Sequence, residues 1–172
     1  IYHQWGYSSA NPANFVVSYT DPLGNQTTYG RDSVGNLTSI THPTVTNPAT
    51  QTASESFAYN SMGQLTRHTN EEGYLRDFTY YTTGTPIYLM KDVEEDAAGL
   101  GLLYQFAYDS AGNISTLIDP LNRTTACTWD NLRRLTQVQA PSPLSYRVQH
   151  HWDGNGNLTS MDVESFDKDL NV

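Results

Sequence analysis

Aromatic residues recur two positions apart along the chain, as Phe57 and Tyr59, Phe78 and Tyr80, and Phe106 and Tyr108. A spacing of two puts both rings on one face of a strand, whereas a helix would turn them about 200° apart. The segments that carry these pairs are rich in Thr, Tyr, Phe, Val and Ile and are bounded by Asp, Asn, Gly and Pro. The pattern predicts short strands joined by tight turns. No amphipathic helix of normal length is expected, and the one helical turn the sequence suggests lies near Val93 to Ala98.

The strands and turns repeat. Tyr108-Asp109-Ser110-Ala111-Gly112-Asn113-Ile114 has a near twin in Tyr59-Asn60-Ser61-Met62-Gly63-Gln64-Leu65, and the frame returns from Arg31 to Leu37 and from Trp152 to Leu158. Looser versions start at Tyr80, with Gly84 in the fourth place after it, and at Trp129-Asp130. Anchors at 31, 59, 80, 108, 129 and 152 are separated by 28, 21, 28, 21 and 23 residues, a basic period of 21. The residues that define the repeat are therefore Tyr59, Gly63, Tyr80, Gly84, Tyr108, Asp109, Gly112, Trp129, Asp130, Trp152, Asp153 and Gly156. The longer steps place inserts near residues 44–53, 92–100 and 141–145. His150 would also fit the last step, but Trp152 with Gly156 and Leu158 matches the motif better.

Eleven residues after an anchor stands a second mark: Asp119-Pro120-Leu121-Asn122 after Tyr108, His42-Pro43 after Arg31, Asn70 after Tyr59 and Ala140-Pro141 after Trp129. Asp21-Pro22-Leu23-Gly24 stands in the same relation to Ala10, which suggests a worn first repeat with Val16 at its apolar position. Asp at the first position and Gly at the fourth fit a type I turn closed by a residue of positive φ, and Asn122 tolerates that conformation too. Each unit thus reads as two strands and two turns. About six or seven units over residues 1–172 predict an all-β antiparallel meander, a single array in which every strand pairs with its sequence neighbours. Tyr and Phe on successive hairpins are expected to stack as cross-strand aromatic ladders.

Composition narrows the function. Apolar content is 37% and lies at repeat positions instead of in buried runs, which suits a thin sheet more than a compact core. A net charge of −9 with only two lysines, Lys91 and Lys168, argues against a nucleic-acid partner. No apolar stretch reaches membrane-spanning length. The single cysteine, Cys127, occupies a place where other repeats have Phe and reads as a small packed residue. The chain begins at Ile1 without a signal-like segment and is expected to be a fragment of a longer protein.

Tyr-Asp-x-x-Gly-Asn/Arg-Leu followed by Asp-Pro-x-Gly resembles the YD repeat of the Rhs family, and Phe106 to Asn122 comes close to the pattern. Arg31 for Tyr, Arg133 for Gly and the copy at Tyr80 depart from it. The resemblance implies a large β-sheet that spirals into a hollow shell, as in bacterial Rhs polymorphic toxins and the B and C components of insecticidal toxin complexes. It implies a structural segment that helps enclose a C-terminal toxin, delivered to the cell surface or secreted. The partners would be the remainder of the shell, the enclosed region and a secretion-system protein. Such shells end in a self-cleaving core; Asp21 to Gly24 has letters in common with it but reads as ordinary repeat punctuation. The alternative is an extracellular module that binds carbohydrate or protein through exposed rings, with Trp129 and Trp152 as stacking platforms.

Candidate chemistry is sparse. Asp153, Asn155, Asn157, Thr159 and Glu164 have the oxygen spacing of a calcium loop, but Leu158 stands where such a loop needs Gly, and the same Asp-x-x-x-Asn recurs as a turn. His150 and His151 are adjacent and would point to opposite faces of a strand, while His3, His42 and His68 are isolated in sequence. Asp92, Glu94, Glu95 and Asp96 read as a solvated loop, or else as a dock for a basic partner or an acidic lining. Five Asn-x-Ser/Thr sequons, at Asn25, Asn36, Asn113, Asn122 and Asn157, all fall at turns. No catalytic constellation, metal site or cofactor motif stands out, so the chain is expected not to be an enzyme.

Overall fold

The computed structural model describes residues 2–9, 14–84 and 87–165. They form fourteen strands: β1 Gln4–Tyr7, β2 Val16–Thr20, β3 Gln26–Arg31, β4 Leu37–Thr41, β5 Ser54–Tyr59, β6 Leu65–Thr69, β7 Leu75–Tyr80, β8 Met90–Glu95, β9 Leu102–Tyr108, β10 Ile114–Ile118, β11 Thr124–Trp129, β12 Leu135–Gln139, β13 Tyr146–Trp152 and β14 Leu158–Ser165. Strand order in the sheet is the order of the chain, so the expected antiparallel meander is what forms. By contacts the chain divides into two units, Ile1–Phe78 with Glu95–Gly101, and Thr79–Glu94 with Leu102–Val172.

In the first unit, β2 to β7 are joined by tight hairpins at 21–25, 32–36, 60–64 and 70–74 and by a longer excursion between β4 and β5. That excursion carries a small bridge of its own, Val45 opposite Gln51. In the second unit the tight hairpins fall at 109–113, 119–123, 130–134 and 153–157. Between β12 and β13 the loop is closed by the Ala140 N–H on the Tyr146 carbonyl.

The period-two pattern shows in burial. Along β5, Glu55, Phe57 and Tyr59 are half-buried and Ser54, Ser56 and Ala58 exposed, and along β11 Thr125, Cys127 and Trp129 alternate in the same way. Full burial is scarce: among the described residues Ala140 is the one buried hydrophobic, at 7% exposure. Cys127 is free and half-buried, and burial pushes its thiol pKa up.

Three expectations change. No helix forms near Val93 to Ala98: β8 runs to Glu95, and Asp96, at φ 52, opens a turn that ends at Leu100. The acidic run is accordingly no solvated loop. Asp92 accepts hydrogen bonds from the Thr79 hydroxyl and the Gln105 amide, Glu95 pairs with Arg76, and Asp96 Oδ2 takes the Leu100 N–H. Among the described residues the ring contacts make no aromatic ladder either. Ring contacts among the described residues are His3 and Trp5 on Tyr19, Phe57 on His68, and Tyr81 on Tyr108. The reason is strand spacing: repeat anchors fall on every second strand, roughly 9.5 Å apart, beyond ring contact. Every anchor but Tyr80 instead faces the aliphatic residue across its own hairpin, as with Tyr108 opposite Ile114, Trp129 opposite Leu135 and Trp152 opposite Leu158.

Candidate functional site

The repeat motif and its second mark build the same turn. At 21, 32, 60, 70, 109, 119, 130 and 153, Oδ1 of an Asp or Asn accepts the backbone N–H groups two and four residues ahead. The fourth residue takes positive φ, which is why Gly63, Gly112 and Gly156 stand there; Asn122 and Arg133 adopt it at φ 59 and 62. The other carboxylate oxygen accepts the side chain at the fifth place, as in Asn113 Nδ2 to Asp109 and Arg134 Nε to Asp130. At Asp21, Asp109 and Asp153 the bond from the neighbouring Asn amide is the main cause of a carboxyl pKa below the usual value. At Asp119 the Arg123 side chain does this, and at Asp130 the Arg134 backbone N–H. The calcium-like Asp153 has both oxygens committed to Asn155 and Asn157, and Asp21 is likewise a turn residue. The sequon amides of Asn25, Asn36, Asn113 and Asn157 donate to their turn aspartates.

Tyr80 ends β7, and no such turn follows it. Tyr81 stands where the acceptor would be, and the chain loops out, with Gly84 at φ 84, to return through Tyr88 N–H on the Tyr81 carbonyl. Thr85 and Pro86 of this copy lie outside the described residues, as does Ala10. The place opposite Val16 belongs to Tyr7, so the first repeat is anchored there across a longer loop.

Two features of the repeat escaped the sequence. The motif hairpins carry a β-bulge just past the turn, which leaves Thr38, Thr66, Ser115, Thr136 and Thr159 without a cross-strand partner in the register. The hydroxyls of Thr136 and Thr159 donate to the Thr128 and His151 carbonyls. The signal was a hydroxyl residue after every apolar position that follows the turn. Further, the anchor of one repeat reaches back to the preceding one. Trp129 Nε1 donates to the Ile114 carbonyl, Trp152 Nε1 to that of Leu135, and Arg31 Nε to that of Val16. Arg31 thus does the work of an indole, with its guanidinium 5.0 Å from the Phe15 ring centre. Arg134 lies 5.6 Å from the Trp152 ring centre and donates to the Asp153 carbonyl.

The structure also gathers side chains the sequence left apart. His42, after β4, has Nε2 3.3 Å from Glu55 on β5 and 3.3 Å from Glu71 in the turn after β6. Glu55's other oxygen is 2.8 Å from His68 Nε2 on β6, and the His68 ring stacks on Phe57. Steps of 13 residues, from 42 to 55 and from 55 to 68, mark this diagonal across neighbouring strands. His150 and His151 do not join it; His151 pairs with Asp162 across β13 and β14.

The RHS repeat family model matches residues 11–44 and 108–142. No curated protein matches the sequence. Similar solved structures include TcdB2-TccC3-Cdc42, with a TM-score of 0.71, 18% identity and coverage of 88% of this chain and 9% of that one. TcdB2-TccC3 is similar at a TM-score of 0.70, with the same 18% identity and coverage of 88% and 9%. A Photorhabdus luminescens Tc holotoxin pore is similar at 0.69, 18% identity, and coverage of 88% and 8%. At this identity the likeness is one of fold, and the chain spans less than a tenth of those chains. Repeat, turn and family model agree over residues 11–44 and 108–142, where the chain matches the RHS repeat, and its sheet has the fold of Tc toxin complex structures.

Proposed function

We propose that this array is a wall segment of a larger RHS-repeat shell and that the shell encloses a C-terminal toxin or effector region of the same protein. Residues 1–172 would be one continuous array in that longer protein, with the remainder of the shell and the enclosed region as its partners. Delivery through a secretion or toxin-delivery system to the cell surface or beyond fits this role. The carrying observation is a sheet of RHS repeats one layer thick, with Ala140 as its one buried hydrophobic among the described residues. A single layer stabilises itself through turns and neighbour pairing and leaves both faces available, which suits a wall. Its polar groups serve turns and tethers, and the segment is proposed to carry no catalysis. The glycan-binding alternative draws less support, because the Trp129 and Trp152 indoles already donate to backbone carbonyls and Arg134 covers part of Trp152.

Limited proteolysis of the full-length protein tests the reading. The C-terminal region is expected to resist protease while the shell is native and to be cut quickly when expressed alone. Equal cleavage in the two contexts would remove the enclosing role.

A further inference from the structure

We infer that His42, Glu55 and Glu71 form a zinc-type divalent metal site, a role independent of the shell reading. One ligand atom from each lies within 4.8 Å of the others. His42 Nε2 sits 3.3 Å from both carboxylates, at the long end for a hydrogen bond, and one imidazole N–H cannot point at two oxygens at once. Four ligands placed about 2.0–2.1 Å from a zinc ion in a tetrahedron lie roughly 3.3 Å apart, which is the spacing His42 keeps from its two neighbours.

The surroundings fit the ion as well. Glu55 offers one oxygen to the site while His68 holds the other at 2.8 Å, the kind of outer partner that orients a ligating carboxylate. His68 is itself fixed against Phe57, ring centres 4.7 Å apart and 5° from parallel. Glu55 is 17% exposed and Glu71 42%, so one carboxylate is set in place and the other is free to swing onto the ion. His42 also borders an open cleft of about 550 Å³ with Asp21, Asn25 and the Val45–Gln51 excursion, which gives water and solute a path to the site. Imidazole with two carboxylates suits zinc or a similar transition ion more than calcium or magnesium, which take oxygen ligands alone. The ion would clip β4, β5 and the turn after β6 together where the sheet has no second layer.

Zinc titration by calorimetry on the whole chain, with the thermal midpoint read in parallel, tests this. One equivalent of Zn²⁺ is expected to bind and raise the midpoint. Glu71→Gln, a change in a half-exposed turn residue, is expected to weaken binding at least tenfold, and His68→Ala to weaken it 10- to 100-fold through loss of the outer partner. His151→Ala is expected to bind as the parent does. No uptake by the parent chain would overturn the site, as would uptake that survives Glu71→Gln unchanged or disappears with His151→Ala.

Discussion

A single residue's φ decides what a glycine is for in these turns. Gly112 sits at φ 85, and an added Cβ would meet Leu89 at an ordinary 3.6 Å, so Gly112→Ala tests backbone strain alone. It should destabilise by about 1 kcal/mol, whereas Gly154→Ala, with open space and no positive φ, should stabilise by about 0.4–1 kcal/mol. Denaturant unfolding of both variants checks the pair; equal signs would contradict it. The turn aspartates make a second prediction at this scale. Their folded pKa values are lowered, so they contribute stability above the ordinary carboxylate pKa, and that contribution goes as pH falls through the folded value. As pH falls below the ordinary carboxylate pKa, the Ala111 amide signal, bonded to Asp109, should shift, while that of Met62, bonded to Asn60, should stay until global unfolding. NMR titration reads this, and a Met62 signal that moves with Ala111 would count against it.

At the scale of the hairpin, strands and turns were legible because their causes are local. Phe57 and Tyr59 share a face by spacing alone, and Asp109 to Gly112 spells its turn within four letters. Trp152 and Leu158, six residues apart, meet in the register across their own turn for the same local reason. What was not legible depends on register between strands. The Trp-to-carbonyl tethers span 15 or 17 residues, and the His42, Glu55, His68 diagonal needs three strands in place before the side chains meet. The expected ladders failed for the same reason, because a repeat of two strands sets like residues two strands apart. Trp152→Phe keeps an aromatic ring, though a smaller one, and removes the N–H that serves Leu135, so it should cost at least about 1 kcal/mol. Chemical denaturation measures it, and a loss below about 0.3 kcal/mol would mean that water replaces the tether without penalty.

For the whole molecule, contacts run between sequence neighbours, so perturbation should stay local. Gly35 is a sharp probe: at φ 98, an added Cβ would come 2.6 Å from the Phe15 ring. Gly35→Ala should speed hydrogen exchange in β2 to β4 and leave β10 to β13 at the parent rate; acceleration spread evenly over all strands would show a cooperative block instead. The recurring tight hairpin has one more consequence. A unit of two strands returns the chain to its starting direction and face, so gaining or losing a whole hairpin pair disturbs no register outside the join. A one-strand change would reverse every strand after it. The extent of such a sheet is therefore a quantity that gene duplication can adjust in paired steps, with each new pair able to use its own turn chemistry.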